Sequence, residues 1–382
     1  MRQTEPPTPG LDLRLQQWFL GLVGVGIGLL ILVVGRFFLI PLAIAVLLFS
    51  LMSAAMNRLT GMRMGRFAVP NWLASIVSVV VIIVVMLLIF QLIAGQIDAL
   101  IAAGPLYMAR GQELVGTIFA VLGDDVAAWI LTAFEDIDVA AYIRAFAGSA
   151  GYILASMLLI VLYVGFLFTE RTRFPQKLGT LFSDPRQARE IDRVFQSIAR
   201  NVHRYVLIKT IISVCTGFAV YLVLRAFELQ FAETWALLTV FLNFIPNIGS
   251  IVATFIPILV ALAQFDSWTP VVMLFLSIGV IQFAVGNLIE PLLMGRSLHL
   301  SPFVIILSLT FWGAIWGVIG MFLAVPIMVM VMIVCSHVTS LHPIAVLLSR
   351  DGVPMPVEES YEPNGAPERD QRTVAAPAHG AE

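Results

Sequence analysis

The sequence predicts an all-α, polytopic membrane protein with about eight transmembrane segments, two of them interrupted or re-entrant helices in the C-terminal half. Three observations carry this prediction. Apolar residues make up 59% of the chain and charged residues only 12%, with a mean hydropathy of +0.95, whereas soluble domains carry roughly 25% charged residues. The few charges are segregated, leaving uncharged runs long enough to cross a hydrocarbon core of about 30 Å as helices. The two longest runs after residue 230 carry proline and glycine in their middles, and the first of them asparagine as well.

The uncharged runs cover residues 15–35, 37–57, 67–97, 145–169, 210–224, 234–265, 267–289 and 300–349. The run 210–224 is short, and Lys209 and Arg225 at its ends are expected to snorkel toward the interfaces and extend it to a full span. The N-terminal segment 1–14 has Glu5, Asp12 and three prolines but no basic n-region, and the run after it has no small-residue cleavage site. It reads as a retained first helix rather than a signal peptide.

Orientation follows the Lys/Arg content of the connections. Arg58, Arg63 and Arg66 follow the second run with no acid among them, and nine basic residues against four acids lie between Glu170 and Lys209. Both connections are expected on the cytoplasmic side. The segment 98–144 holds two basic residues and seven acids and suits the outer side. Both termini are then cytoplasmic. The domain reading is a cytoplasmic segment 1–14, a transmembrane permease domain 15–349 and a disordered cytoplasmic tail 350–382, poor in large apolar residues.

The two long connections carry helical periodicity. In the outer insertion 98–144, Ile97, Leu100 and Ile101, then Leu114, Ile118 and Val121, recur at helix spacing and extend the third span as amphipathic helices. In the cytoplasmic segment 184–203, Asp184 is placed to cap a helix with Pro185 at its first position, and Ile191, Val194, Phe195, Ile198 and Val202 form one apolar stripe. That helix is expected against the bundle or the membrane surface.

The most informative segment is Phe241-Leu-Asn-Phe-Ile-Pro-Asn-Ile-Gly249, inside an apolar run of 32 residues where a single span needs about twenty. Pro246 removes a backbone donor, and Asn247 and Gly249 tolerate turn conformations. Exposed amides are costly in lipid, so such a break faces protein or a wet cavity, where broken helices present dipole ends and free carbonyls to a substrate. The plain alternative is a proline kink satisfied by neighbouring helices. The run 300–349 carries Trp312-Gly-Ala-Ile-Trp-Gly-Val-Ile-Gly320 followed by Pro326, a spacing that echoes Gly249 and Pro257. The two runs read either as discontinuous helices or as re-entrant hairpins from opposite sides, the latter placing Arg296 inside.

Ionisable residues near these runs are scarce. Asp266 reads as an interfacial loop acid. Glu290, in Gly286-Asn-Leu-Ile-Glu-Pro291, is a site candidate, with Asn287 three residues earlier on the same helix face able to join it in holding a cation, a proton or a polar solute. The alternative for Glu290 is a pair at a helix end near Arg296. Gln282, two turns back, reads as a structural hydrogen bonder. Gly24 with Gly28, and Gly313 with Gly317, are spaced for close helix contact, with contact between copies in a homo-oligomer as the lesser reading.

Several function classes are excluded. A net charge of -2 without aromatic-interleaved basic clusters gives no nucleic-acid surface. Cys215 and Cys335, both inside apolar runs, form no disulfide framework or metal spacing. His203, His299, His337, His342 and His379 never gather at ligand spacing, and neither a nucleophile elbow nor a phosphate loop is present. The chain calls for no cofactor or metal, reads as no enzyme, and without ATP chemistry must draw on an ion gradient if it pumps alone.

The segments Phe244-Ile-Pro-Asn-Ile-Gly-Ser250, Glu290-Pro-Leu-Leu-Met-Gly295, Leu298-His-Leu-Ser-Pro302, and Phe311-Trp-Gly313 through Gly317-Val-Ile-Gly-Met321 to Ala324-Val-Pro326 resemble the AI-2E family, over residues 15–345. The resemblance implies an eight-helix permease of the bacterial cytoplasmic membrane. Some members are assigned to export of a quorum-sensing signal and others to sodium or lithium exchange for protons. The expectation is therefore a transporter of a small polar solute, such as an autoinducer-2-like signal, or of a monovalent cation. Its pathway residues are Asn243, Pro246, Asn247, Gly249, Asn287, Glu290, Gly313 and Gly317, and its partners are the solute and the lipid bilayer. A passive channel and a non-transporting scaffold that recruits partners through the outer and cytoplasmic helices are the rival readings.

Overall fold

The computed structural model describes residues 11–61, 70–119, 141, 148–171, 173–182, 184–294 and 300–352. Its helices are α1 (Leu11–Val34), α2 (Arg36–Gly61), α3 (Asn71–Phe119), α4 (Ala150–Arg171), α5 (Phe174–Leu181), α6 (Pro185–Ala226), α7 (Ala232–Leu242), α8 (Ile248–Gln264), α9 (Trp268–Ala284), α10 (Glu290–Met294), α11 (Pro302–His337) and α12 (His342–Leu348). A π-helical turn, Val285–Ile289, joins α9 to α10. Among the described residues there is no strand, only an isolated antiparallel bridge between Leu300 and Ser349.

Among the described residues, six helical stretches are long and apolar enough to span a bilayer, within α2, α3, α4, α6, α9–α10 and α11. Leu88, Leu158 and Phe166 are among many large apolar side chains left exposed on them. A soluble monomer does not display apolar surface on that scale, and lipid is the solvent that makes it favourable.

Helix α3 has 49 residues, about 74 Å, and outruns the membrane. Its projecting half meets the segment around residues 228–266. Thr234 Oγ1 donates to Gln96 Oε1, Tyr107 Oη donates to Gln230 Oε1 at 2.6 Å, and Arg110 pairs with Asp266 at 2.9 Å. The rest of the outer insertion, apart from a few residues near its end, lies outside the described residues, as do Val121, Arg63, Arg66, Arg296, the first ten residues and the tail from 353.

The expected cytoplasmic helix 184–203 and the short span 210–224 prove to be one 42-residue rod, α6, because neither proline nor glycine interrupts the sequence between them. Asp184 caps it, accepting from Arg186 N at 2.8 Å, with Pro185 in the first turn. The amphipathic portion packs on the bundle: Phe195 stacks edge-on against Phe174, and the His203 ring bonds Ser50 O at 2.8 Å. Further along, α6 joins two cores. Val202, Tyr205 and Val206 pack with α2 and α11, and Val220 and Leu224 pack with α8 and α9. A third core, with Ala45, Ala74, Ile82, Ile160 and Val164, holds α2, α3 and α4 together.

Both interrupted runs are hairpins. In hairpin A, α7 and α8 have 11 and 17 residues, about 16 and 26 Å, so neither spans alone. A Cβ on Gly249 would lie 1.7 Å from Leu242 O, and the open ends are tied where Gln230 N donates to Gln264 Oε1 at 2.8 Å and Gln264 Nε2 donates to Glu228 O at 2.9 Å. The chain thus returns to the side it left. In hairpin B, a Cβ on Gly320 would lie 1.9 Å from Trp312 O, whereas residues eight apart on a straight helix are separated by about 12 Å. The reversal sits at Gly317, whose φ of 65° and ψ of -146° are open only to glycine. Its open end is closed by Ser301 N donating to Leu348 O at 3.0 Å.

The reversal of hairpin A packs on the arms of hairpin B, through Phe244 against Phe322 with ring centroids 4.4 Å apart and Ile245 against Leu309 and Ala324. It also faces hairpin B's open end at Leu300, Pro302 and Ile305. The tip of one hairpin therefore lies at the mouth of the other, and they enter from opposite sides. The glycine pairs do not act as the spacing suggests. A Cβ on Gly24 or Gly28 would meet nothing among the described residues within 4 Å, while one on Gly313 would lie 3.1 Å from Met321 across hairpin B.

Alanine at Gly249 or Gly320 drives a methyl into a carbonyl and is expected to destabilise by about 2–3 kcal/mol. Thermal unfolding in detergent should show a lowered midpoint for both variants, and an unchanged midpoint for Gly24→Ala.

Candidate functional site

The reversal of hairpin A is built from local chemistry. Pro246 has no N–H to lose, and Asn247, at φ 59° and ψ -56°, centres a γ-turn in which Ile248 N donates to Pro246 O at 2.6 Å. This is a sparsely populated conformation costing on the order of 1–3 kcal/mol, held by the packing around it. Asn243, just before the turn, is buried and donates from Nδ2 to Ser213 Oγ at 3.1 Å, which ties the reversal to α6.

One turn before Ser213 on the same face of α6 stands Lys209. Val202, Tyr205, Val206, Lys209, Ser213, Thr216 and Val220 form a single buried stripe. The side chain of Lys209 is only 2% exposed, and Nζ pairs with Glu290 Oε1 at 2.6 Å, Glu290 being 25% exposed. The expectation that Lys209 snorkels is overturned. Lys209 lies on the buried face of the unbroken helix α6, and the partly exposed Glu290 carboxylate supplies the counter-charge that the headgroups were to supply.

Glu290 is aimed by the π turn before it. Its own N–H bonds back to Val285 O, five residues earlier. The wider turn changes the register, so that Gln282, Gly286 and Glu290 share one face while Asn287 is exposed and donates to Phe283 O at 3.1 Å. The expected Asn287–Glu290 pairing on one face is therefore not formed. Such π turns recur at functional sites in helices.

These groups border one cavity of about 670 Å³. Lys209, Gln282 and Glu290 line it with Asn243, Pro246, Asn247 and Ser250 of hairpin A. Met294, Leu300, Pro302 and Ile305 supply its apolar wall, and the exposed Arg350 and Asp351 flank it. Gln282 is 8% exposed, and neither of its amide atoms has a hydrogen-bond partner among the described residues. Of the residues expected in the pathway, Asn243, Pro246, Asn247 and Glu290 converge here. Gly249 lies behind the turn, and Gly313 and Gly317 serve the reversal of hairpin B. Sequence reasoning missed Lys209 as a site residue and read Gln282 as a satisfied structural group. The available signal for Lys209 was its helical register with Tyr205, Ser213 and Thr216.

The sequence profile of the AI-2E family transporter matches residues 22–340. This chain belongs to the AI-2E transporter family. It is 36% identical over 197 residues to the AI-2 transport protein TqsA of Escherichia coli (strain K12), covering 51% of this chain and 56% of that protein. It is 34% identical over 195 residues to a provisionally named transport protein of Borreliella burgdorferi, covering 51% and 54%. YhhT of Escherichia coli (strain K12), also provisionally named a transport protein, is 33% identical over 174 residues, covering 46% and 49%. The chain thus spans about half the length of the curated relatives it matches. Membership makes it a multi-pass membrane protein of a transporter family, and in it the cavity joins both hairpins to α6 and α9.

An ion pair this deep is held by its own complementarity. Replacing Glu290 leaves the buried Lys209 ammonium uncompensated and is expected to cost on the order of 3 kcal/mol, and replacing Lys209 costs less because Glu290 is a quarter exposed. Thermal unfolding should show a large loss for Glu290→Gln, and adding Lys209→Met to it should recover most of that loss. Additive losses would mean that the two groups are not coupled.

Proposed function

We propose that this AI-2E family member is a secondary carrier of the bacterial cytoplasmic membrane. It moves a small polar solute, of the autoinducer-2 kind named for its Escherichia coli relative, or a monovalent cation, by alternating access. The observation that supports this most is the meeting of two opposed hairpins at one polar cavity whose floor is a buried ion pair. Opposed re-entrant elements around a central site are the arrangement in which rocking one element against another exposes the site first to one side and then to the other.

In this reading Glu290 carries the coupling proton or cation. Asn243, Asn247 and the carbonyls around Pro246 and Gly249 contact the solute. Gly313 and Gly317 let hairpin B reverse and close the far side. The sequence holds no phosphate loop, so an ion gradient supplies the work. The cavity is flanked by Arg350, and the arginine-rich start of α6, with Arg186, Arg189, Arg193 and Arg200, is assigned to the cytoplasm by the positive-inside rule. Both termini are then cytoplasmic, and the projecting half of α3 is outside.

With both native cysteines replaced, a membrane-impermeant maleimide added to intact cells should label Arg110→Cys and leave Asp351→Cys unlabelled until the cells are opened. The reverse pattern inverts the topology. In proteoliposomes under imposed proton and sodium gradients, autoinducer-2, sodium and lithium should be tested for saturable, gradient-driven accumulation. Glu290→Gln should abolish that accumulation, and Asn247→Ala should raise the half-saturation concentration by about threefold to tenfold. Unchanged flux in both well-folded variants overturns the site, and flux linear in concentration makes the protein a passive channel.

A further inference from the structure

We propose that the solute taken by this cavity is a small organic monoanion with a neutral hydrogen-bonding group, bound on Lys209 Nζ in place of Glu290 and carried together with one proton. This rests on the carrier reading and narrows its substrate class. Lys209 is the deepest charge on the cavity wall, its side chain 2% exposed, and the anion at its ammonium is the Glu290 carboxylate. Glu290, a quarter exposed and on a short helix after a π turn, is the partner that can move.

A bare cation gains nothing here. Taking Glu290 for itself would strand the Lys209 ammonium a few ångströms away, in a medium that screens poorly. An anion meets the opposite situation once Glu290 is protonated. The proton comes from the aqueous phase on the cavity side and binds a Glu290 carboxylate oxygen, which frees Nζ. The solute's anionic group then takes the 2.6 Å contact that Glu290 held. Solute and proton together carry no net charge, so the site keeps the same total charge through the cycle. The ionisable groups facing Glu290 among the described residues are Lys209 and Tyr205 on α6 and, beside the cavity, Arg350 and Asp351 after α12.

A second observation points to the rest of the solute. Gln282 presents an unpaired donor and an unpaired acceptor at the cavity wall, more than nine-tenths buried. A buried amide in that state is costly until a ligand satisfies it, and a hydroxyl answers both atoms at once. Ile245, Met294, Leu300 and Ile305 supply an apolar wall for a short carbon chain.

The test uses the full chain in proteoliposomes loaded with a pH-sensitive dye, with empty liposomes subtracted. The probes are glycerate as the hydroxylated monoanion, glycerol as the neutral probe, and sodium and lithium as cations. The expected result is saturable anion uptake with acidification of the lumen at about one proton per anion. Gln282→Leu, which adds no charge, should raise the half-saturation concentration about tenfold. Glu290→Gln, a fixed stand-in for the protonated acid, should keep anion-for-anion exchange while losing luminal acidification. Lys209→Met should lose both, and the other two variants decide the matter if it does not fold. Saturable flux of sodium, lithium or glycerol, with no anion transported or competing, overturns this inference and leaves the carrier standing. Flux of none of the probes overturns the carrier reading and this one with it.

Discussion

A backbone amide has no partner in hydrocarbon, so each chain reversal, at residues 243–248 and at 317, depends on the contacts that the fold gives it. The first is buried against α6 through Asn243 and Ser213 and against hairpin B through Phe244 and Ile245. The second is packed on itself at Trp312 and Gly320 and reaches the end of α1, where Trp316 Nε1 donates to Leu32 O at 3.0 Å. Each hairpin is part of the environment that makes the other tolerable.

The same packing creates the cavity. Where the tip of one hairpin meets the mouth of the other, two ends of helical structure cannot fill the space that two parallel helices would fill, and polar side chains collect there. Lys209 and Glu290 come from helices far apart in the chain, and their pairing costs desolvation that an apolar pair would not. The pair stands on the wall of the cavity, where its charges meet open space rather than packed side chains. The γ-turn at Asn247 and the π turn before Glu290 concentrate local strain at the same place, as binding sites commonly do.

Much of the fold was legible because hydropathy and breakers act locally. The uncharged runs mark most of the spans, and Pro246, Asn247 and Gly249 mark the first reversal without any tertiary information. Three features were not legible for physical reasons. The continuity of α6 depends on the absence of a break, and a charged residue at the end of an apolar run looks like a membrane boundary. The departure of Asn287 from the face of Glu290 depends on a π turn that no residue type announces. The Gly24 and Gly28 spacing suggests close packing, but proximity needs a partner surface, and among the described residues none lies there.

The sequence by itself determined that the protein is helical and dissolved in lipid, that its chain breaks near Pro246 and Gly317, and that Glu290 stands almost alone as an acid in the apolar C-terminal half. These follow from the transfer cost of charges and the backbone limits of proline and glycine, which act at each residue. Only the tertiary structure decided that the breaks are hairpins entering from opposite sides, and that the partner of Glu290 is Lys209, 81 residues earlier in the chain. A charge near apolar sequence must find an interface or a counter-charge. Which one it finds depends on what the fold brings beside it.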